Sequence, residues 1–127
     1  MQEVMTAAVM TGVGRLDLEP RPLPEIGARD ALVRVGYVGV CGSDTALFAN
    51  GYIGQSVVDG PMVLGHEASG TVVAVGSGVT GLKPGDRVAL EPGVPCSECE
   101  FCRRGRYNLC PQVYFWASLP VKEGAFQ

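Results

Sequence analysis

The chain has 127 residues, with 10 Lys and Arg against 13 Asp and Glu and a formal net charge of −3, so it is long enough for one domain with a real core and short for two. Its densest basic run, Arg103-Arg104-Gly105-Arg106, falls far short of the positive stripe that binds a phosphate backbone, and no apolar run is long enough to span a bilayer. Nucleic acid and membrane therefore drop out as expected partners. With Glu3 interrupting the only stretch that resembles a leader, a cytoplasmic protein is expected.

The 18 glycines and 9 prolines are scattered among Val-rich runs, which points to a mainly β, turn-rich fold. Residues 4–10 and 13–18 read as two strands joined at Thr11-Gly12, an opening hairpin. Prolines at 20, 22 and 24 hold the next stretch extended and deny it ladder donors, so it is a connector or a sheet edge. Residues 31–40 alternate, with Val33, Val35 and Tyr37 on one face and Arg34 and Gly36 on the other, and Cys41 emerges where that strand ends. Residues 44–48 suit a short helix. Asn50-Gly51 and the glycines after it predict a mobile loop. A second strand follows over 68–76, in which Thr71, Val73 and Val75 alternate. Lys83-Pro84-Gly85-Asp86 has the residues of a tight turn, and 87–90 resumes as strand.

Gly76-Ser77-Gly78-Val79-Thr80-Gly81 has the glycine spacing of a dinucleotide-binding turn. That turn must open a helix, whereas Pro84 and Gly85 force another turn almost at once, so the segment reads as a plain interstrand connection. No amphipathic helix of twelve or more residues appears before position 100.

Two constellations carry chemistry. Cys96, Cys99, Cys102 and Cys110 stand in a C-x2-C-x2-C-x7-C pattern within a lobe at about 92–112, and four thiolates make a closed tetrahedral cage, the form of a structural zinc site. An iron–sulfur cluster is the rival reading, weakened because the last gap is seven residues where the ferredoxin run has three. Disulfides are the lesser option, since five cysteines with Cys41 apart make a poor disulfide framework. The second constellation comprises Cys41, the only histidine, His66, and the carboxylate of Glu67: three donors suited to zinc, with a fourth position open for water or substrate. A lone buried cysteine or histidine is more often core. Neighbours on a regular strand also point to opposite faces, so His66 and Glu67 reach one metal only if the backbone bends there. Asp44 reads either as a helix N-cap or as the partner of a His66 ring N–H.

At these residues the chain resembles the zinc-dependent medium-chain alcohol dehydrogenases, and within them the sorbitol and xylitol (polyol) dehydrogenase branch. The resemblance is carried by Val38-Gly39-Val40-Cys41-Gly42-Ser43-Asp44, Met62-Val63-Leu64-Gly65-His66-Glu67-Ala68-Ser69-Gly70, Pro84-Gly85-Asp86-Arg87-Val88, Glu91-Pro92-Gly93 and Gly105-Arg106-Tyr107-Asn108-Leu109-Cys110. It implies a GroES-like irregular β-barrel with short helices, with residues 1–127 as the N-terminal part of the catalytic domain and the NAD-binding Rossmann domain absent from this chain. It implies that Cys41, His66 and Glu67 hold a catalytic zinc, that Asp44 supports the site, that Ser43 relays a proton, and that the four clustered cysteines hold a structural zinc, two zincs per chain. NAD or NADP would be the hydride acceptor of a homo-oligomeric parent, the substrate a small alcohol or polyol, and this stretch alone would have little or no turnover.

The chain departs from that branch at Ala46-Leu47, where a His-Tyr pair is usual, at Tyr52, where arginine is usual, and at Leu119, which replaces a proline. Phe115 and Ser118 are the nearest matches to the branch's pocket-lining Phe and Thr. These departures shift the expected substrate toward less polar secondary alcohols or diols. A stand-alone zinc module without enzyme activity, an iron–sulfur electron carrier and another medium-chain dehydrogenase, such as a diol or threonine dehydrogenase, are the competing readings.

Overall fold

The computed structural model describes residues 4–127. β1 (Val4–Gly12) and β2 (Arg15–Pro22) form the opening hairpin, with Val4 facing Pro22 and Met10 facing Leu16. The turn falls at Val13-Gly14 rather than Thr11-Gly12. Gly14, at φ +71, takes the left-handed conformation at the second turn position, one that a residue with a Cβ rarely adopts, and β1 runs on through Gly12. β2 is the outer strand of a three-stranded sheet ordered β2-β1-β6, with β6 at Met62–Val63. The expected sheet edge is thus observed, and an edge tolerates prolines because outward N–H groups have no strand to pair with.

A second antiparallel sheet is ordered β3-β7-β8, from β3 (Ala31–Gly39), β7 (Glu67–Val75) and β8 (Arg87–Ala89). The register of β3 shifts between Leu32 and Val33 and again between Val35 and Tyr37. The second irregularity spans Gly36 and breaks the two-residue period, so Tyr37 stands 82% exposed instead of sharing the face of Val33 and Val35. Along β7 the deeply buried positions are Ala68 and Val72, whereas Val73 is exposed.

After β3 comes α1 (Gly42–Asn50). The stretch expected as a mobile loop instead forms a small hairpin of β4 (Tyr52–Ile53) and β5 (Ser56–Val57). The Gly76–Gly81 segment is an interstrand turn, as expected, held by N–H bonds from Gly76 to Asp30 O and from Gly78 to Ala28 O. The Lys83–Asp86 turn closes with Asp86 N–H on Lys83 O at 3.1 Å.

The cysteine lobe comprises β9 (Gly93–Val94), α2 (Glu100–Arg103), a 3-10 turn over Tyr107–Leu109 and β10 (Tyr114–Phe115), with β9 and β10 paired antiparallel. No helix among the described residues is long and apolar enough to cross a membrane.

The core sits where β1, β6 and α1 meet. Met10, Leu47, Met62 and Leu64 form one buried cluster, Ala7, Val9 and Val63 a second, and Phe126 packs against both. Burying each large apolar side chain stabilises the fold by about 1.5–3 kcal/mol. The segment carrying Phe126 is fixed by backbone bonds: Ala125 N–H donates to Gly65 O at 2.7 Å, and Ala8 N–H to Phe126 O at 2.7 Å. Strand β1 and the residue before His66 are thereby braced by the same piece of chain.

Candidate metal centres

Cys41 leaves β3 in extended conformation, φ −79 and ψ 159, and is itself the N-cap of α1. Asp44 is therefore the third helical residue and not the N-cap. Its carboxylate reaches back to accept the Cys41 N–H at 2.9 Å, one arm of a capping box, and its other oxygen accepts the Gly65 N–H at 3.0 Å. Asp44 is 3% exposed, and both bonds are charge-assisted. The alternative reading, a bond to a His66 ring N–H, is not made either, because Nδ1 stands 3.7 Å from Asp44 Oδ1, beyond hydrogen-bonding range. That Nδ1 is buried and has no hydrogen-bond partner among the described residues.

The required bend between His66 and Glu67 is supplied by the residue before them. Gly65 has φ +88, a conformation open to glycine and costly for side chains with a Cβ. The chain turns there, His66 points into the site, and Glu67 opens β7 opposite Gly39. Gly39 is a signal that sequence reasoning missed: a Cβ there would come within 2.6 Å of Glu67 Oε2, so the missing side chain is what makes room for the carboxylate. One donor atom each from Cys41, His66 and Glu67 lies within 4.8 Å of the others. Bonds of about 2.0–2.3 Å in a tetrahedron bring ligand atoms to roughly 3.4–3.8 Å apart, so a small closure around an ion suffices. Sulfur, nitrogen and oxygen donors beside an unsatisfied ring nitrogen fit zinc.

Phe115 also belongs to this group, its ring centroid 5.6 Å from that of His66 at an interplanar angle of 60°, an edge-to-face contact. Ser43 is the second residue of α1 and half-buried. Ser118 is exposed in a bridge to Val121, and no hydrogen bond among the described residues joins it to the His66 cluster. Leu47 lies in the core against Met10, Met62 and Leu64. Its identity therefore answers to packing, which removes it from the argument about substrate polarity.

In the lobe, Cys96, Cys99, Cys102 and Cys110 each offer a sulfur within 4.8 Å of the others. Cys96 and Cys102 sulfurs are 3.9 Å apart, and Cys99 and Cys102 sulfurs 3.4 Å. These separations are too long for a disulfide, near 2.05 Å, and straddle the roughly 3.8 Å edge of a tetrahedron with 2.3 Å metal–sulfur bonds. One ion fits that spacing, whereas a cluster of several irons would hold its cysteines further apart. Ser97 adopts φ +65, which helps to turn the chain so that the Cys99 N–H reaches the Cys96 sulfur at 3.3 Å, while the Cys96 N–H reaches the Cys110 sulfur at 3.4 Å. Sequence reasoning had no signal for that left-handed serine.

Backbone N–H groups of Glu98 and Cys99 pull the Cys96 thiol down to about 7, and desolvation, then the sulfur–sulfur contact with Cys99 in which Cys102 keeps the proton, push the Cys102 thiol up to about 12. Four crowded sulfurs cannot all ionise unaided, and a divalent ion removes that conflict. Arg104 pairs with Glu100 at 2.9 Å, an ion pair within α2. The lobe is tied to the strands by the Tyr107 hydroxyl donating to Glu91 at 3.2 Å.

An open apolar groove of about 1280 Å³ lies elsewhere, lined by Leu32, Val33, Val35, Val73, Leu90 and Trp116 among others, and contains none of the candidate ligands.

The chain is 58% identical over 114 residues to a sorbitol dehydrogenase of Gallus gallus, covering 90% of this chain and 32% of that protein. It is 54% identical over 113 residues to a probable D-xylulose reductase A of Aspergillus fumigatus, covering 88% and 32%. Among solved structures, the L-idonate 5-dehydrogenase of Escherichia coli superimposes with a TM-score of 0.85 at 29% identity, covering 99% of this chain and 36% of that one. The chain thus spans about a third of the length of the curated relatives it matches. Residues 27–127, which include both groups of candidate metal ligands, match the alcohol dehydrogenase GroES-like domain, and the chain belongs to that family.

Proposed function

We propose that this chain is the zinc-binding part of the catalytic domain of an NAD(P)-dependent dehydrogenase that oxidises a polyol or another secondary alcohol to a ketone. The observation that carries the reading is the convergence of Cys41, His66 and Glu67 beside a buried, partnerless Nδ1, because three donors of mixed type leave one of four positions for substrate. Zinc held there would supply Lewis acidity, lowering the pKa of a substrate hydroxyl so that its carbon can yield hydride to a nicotinamide ring.

The chain's own residues do the rest. Cys41 and Glu67 bring negative charge, and His66 a neutral donor. Asp44 fixes the backbone under both ligand-bearing segments through its bonds to Cys41 and Gly65. Ser43, half-buried in the first turn of α1, is assigned the relay of the hydroxyl proton to solvent. Phe115, itself partly exposed, meets the imidazole in an edge-to-face contact.

The four-cysteine lobe is assigned a second, structural zinc, giving two per chain. The names of the relatives, sorbitol dehydrogenase and D-xylulose reductase, support a small polyhydric or secondary alcohol as substrate. The coenzyme domain and the homo-oligomer contacts are assigned to the part of such proteins that this chain does not span.

The test is a full-length protein containing this chain, assayed with NAD+ and NADP+ on sorbitol, xylitol and a short secondary diol, alongside its zinc content. Coenzyme-dependent ketone formation that Cys41→Ser abolishes, with one zinc per chain retained, is the expected result. Two zincs per chain with no oxidation of any alcohol by either coenzyme would overturn the reading.

A further inference from the structure

The two metal centres are joined by a short physical path that neither needs for its own donors. Phe115 lies on β10 and pairs with Gly93 of β9, and Tyr114 pairs with Val94. Those two pairs are the whole of the ladder, and a two-stranded ribbon so short is at best marginally stable without support at its ends. One end is held by the Trp116 N–H on Pro92 O at 3.1 Å, and the other opens into the cysteine lobe. Cys96 follows β9 by two residues, and Cys110 stands before β10 with its carbonyl accepting the Val113 N–H at 3.2 Å. Gathering the four sulfurs therefore pins both stems of the ribbon, and the register so fixed sets Phe115 edge-on against His66 at 5.6 Å. Gly93 sits beneath the ring, where a Cβ would lie 3.7 Å from Phe115 Cδ2.

We propose that Phe115 is a positioning residue for His66 and that the four-cysteine lobe, when it closes on its metal, holds Phe115 in place, so that occupancy of the lobe tunes the donor set of Cys41, His66 and Glu67. The contact restrains a ring that has no hydrogen bond of its own among the described residues: Nδ1 is without a partner, and the neighbouring Asp44 carboxylate, which accepts two backbone N–H groups, stands 3.7 Å away. With no hydrogen bond to orient it, the imidazole owes its rotamer to packing. An edge-to-face aromatic contact, lost on truncation, changes the affinity of the donor set by roughly threefold to tenfold. The affinity arm rests on the reading of that set as a metal site. The packing arm does not.

The chain's single histidine makes the test direct, because its ring Cε1–H gives one resonance whose position reports the aromatic ring beside it. The zinc-loaded chain is compared at one fixed pH with Phe115→Leu, Phe115→Tyr, Cys99→Ser and Cys102→Ser, with amide resonances of β1 and β7 recording whether the sheets stay folded. Phe115→Leu is expected to move the His66 resonance and to weaken cobalt or zinc binding at Cys41, His66 and Glu67 by that factor, and Phe115→Tyr to restore both. Cys99→Ser and Cys102→Ser are expected to move the resonance in the same direction as Phe115→Leu while the sheets persist. A His66 resonance indifferent to loss of the lobe metal overturns the proposal, and so does global unfolding of both cysteine variants, since the device is local. If the resonance moves as stated but no metal binds Cys41, His66 and Glu67, the proposed function fails and this coupling stands. If metal binds there and the resonance does not move, the coupling fails and the proposed function stands.

Discussion

Asp44 and Gly65, 21 residues apart in sequence, are joined by a buried hydrogen bond of 3.0 Å from the Gly65 N–H to the Asp44 carboxylate. The same carboxylate accepts the Cys41 N–H at 2.9 Å. One buried charge therefore ties the helix start that carries Cys41 to the bend that aims His66.

Removing that tie should cost more than an ordinary surface change. Asp44→Ala leaves two N–H groups without their acceptor, each such bond contributing about 1.5–3 kcal/mol, so a loss of roughly 3–6 kcal/mol is expected. Asp44→Asn keeps one acceptor but turns an NH2 toward the other donor, and should cost about half as much. Urea midpoints measured with the zinc content of each variant check both, and an Asp44→Ala chain with wild-type stability and metal content would refute the clamp.

Gly65→Ala tests the bend itself. At φ +88 an alanine carries about 1–2 kcal/mol of left-handed strain, and its Cβ would come 2.9 Å from the Phe126 ring and 3.0 Å from Val38 Cγ1. A fall in Tm of several degrees is expected, together with loss of metal at the Cys41 cluster and retention in the lobe. Thermal unfolding and metal analysis on one sample decide it.

The lobe should lose its metal independently. Cys99→Ser or Cys102→Ser is expected to lower the zinc content by one per chain, and Cys41→Ser by the other one, with no visible absorption of an iron–sulfur cluster in any of them. Iron in the purified chain would overturn the assignment of the four sulfurs to a single zinc ion.

Acid stability should respond to Asp17. The Thr11 hydroxyl at 2.6 Å, with Arg15, holds this carboxyl below its ordinary value of 3.8. The unfolded chain thus binds the proton more readily, so the contribution is fully present above that ordinary value and is lost as pH falls through the lower folded-state one. Asp17→Asn should flatten the decline of stability below pH 4 and leave the remaining slope to groups such as Asp59 and Asp86, held down by Lys122 and by the Lys83 backbone N–H respectively. Urea midpoints from pH 5 to pH 2 give the measurement.

The features legible in the residues alone are those whose causes are local. Prolines at 20, 22 and 24 marked a connector or sheet edge because they lack a donor, Pro84-Gly85 marked its turn by backbone preference, and the spacing of Cys96, Cys99, Cys102 and Cys110 foretold the gathering of their sulfurs because residues close in sequence are close in space. Whatever depends on distant chain needed the packed molecule. Gly36 broke the period of β3 and sent Tyr37 to solvent, because register follows from pairing with β7. Leu47 became core because α1 lies on Met10, Met62 and Leu64. Cys41 and His66 meet because a buried carboxylate and a left-handed glycine fold one segment onto the other, and Phe115 reaches them from the far end of the lobe. The physical reason is that a residue's own φ and ψ preferences are written at its position, whereas the partner of a buried group is chosen by the whole packed chain.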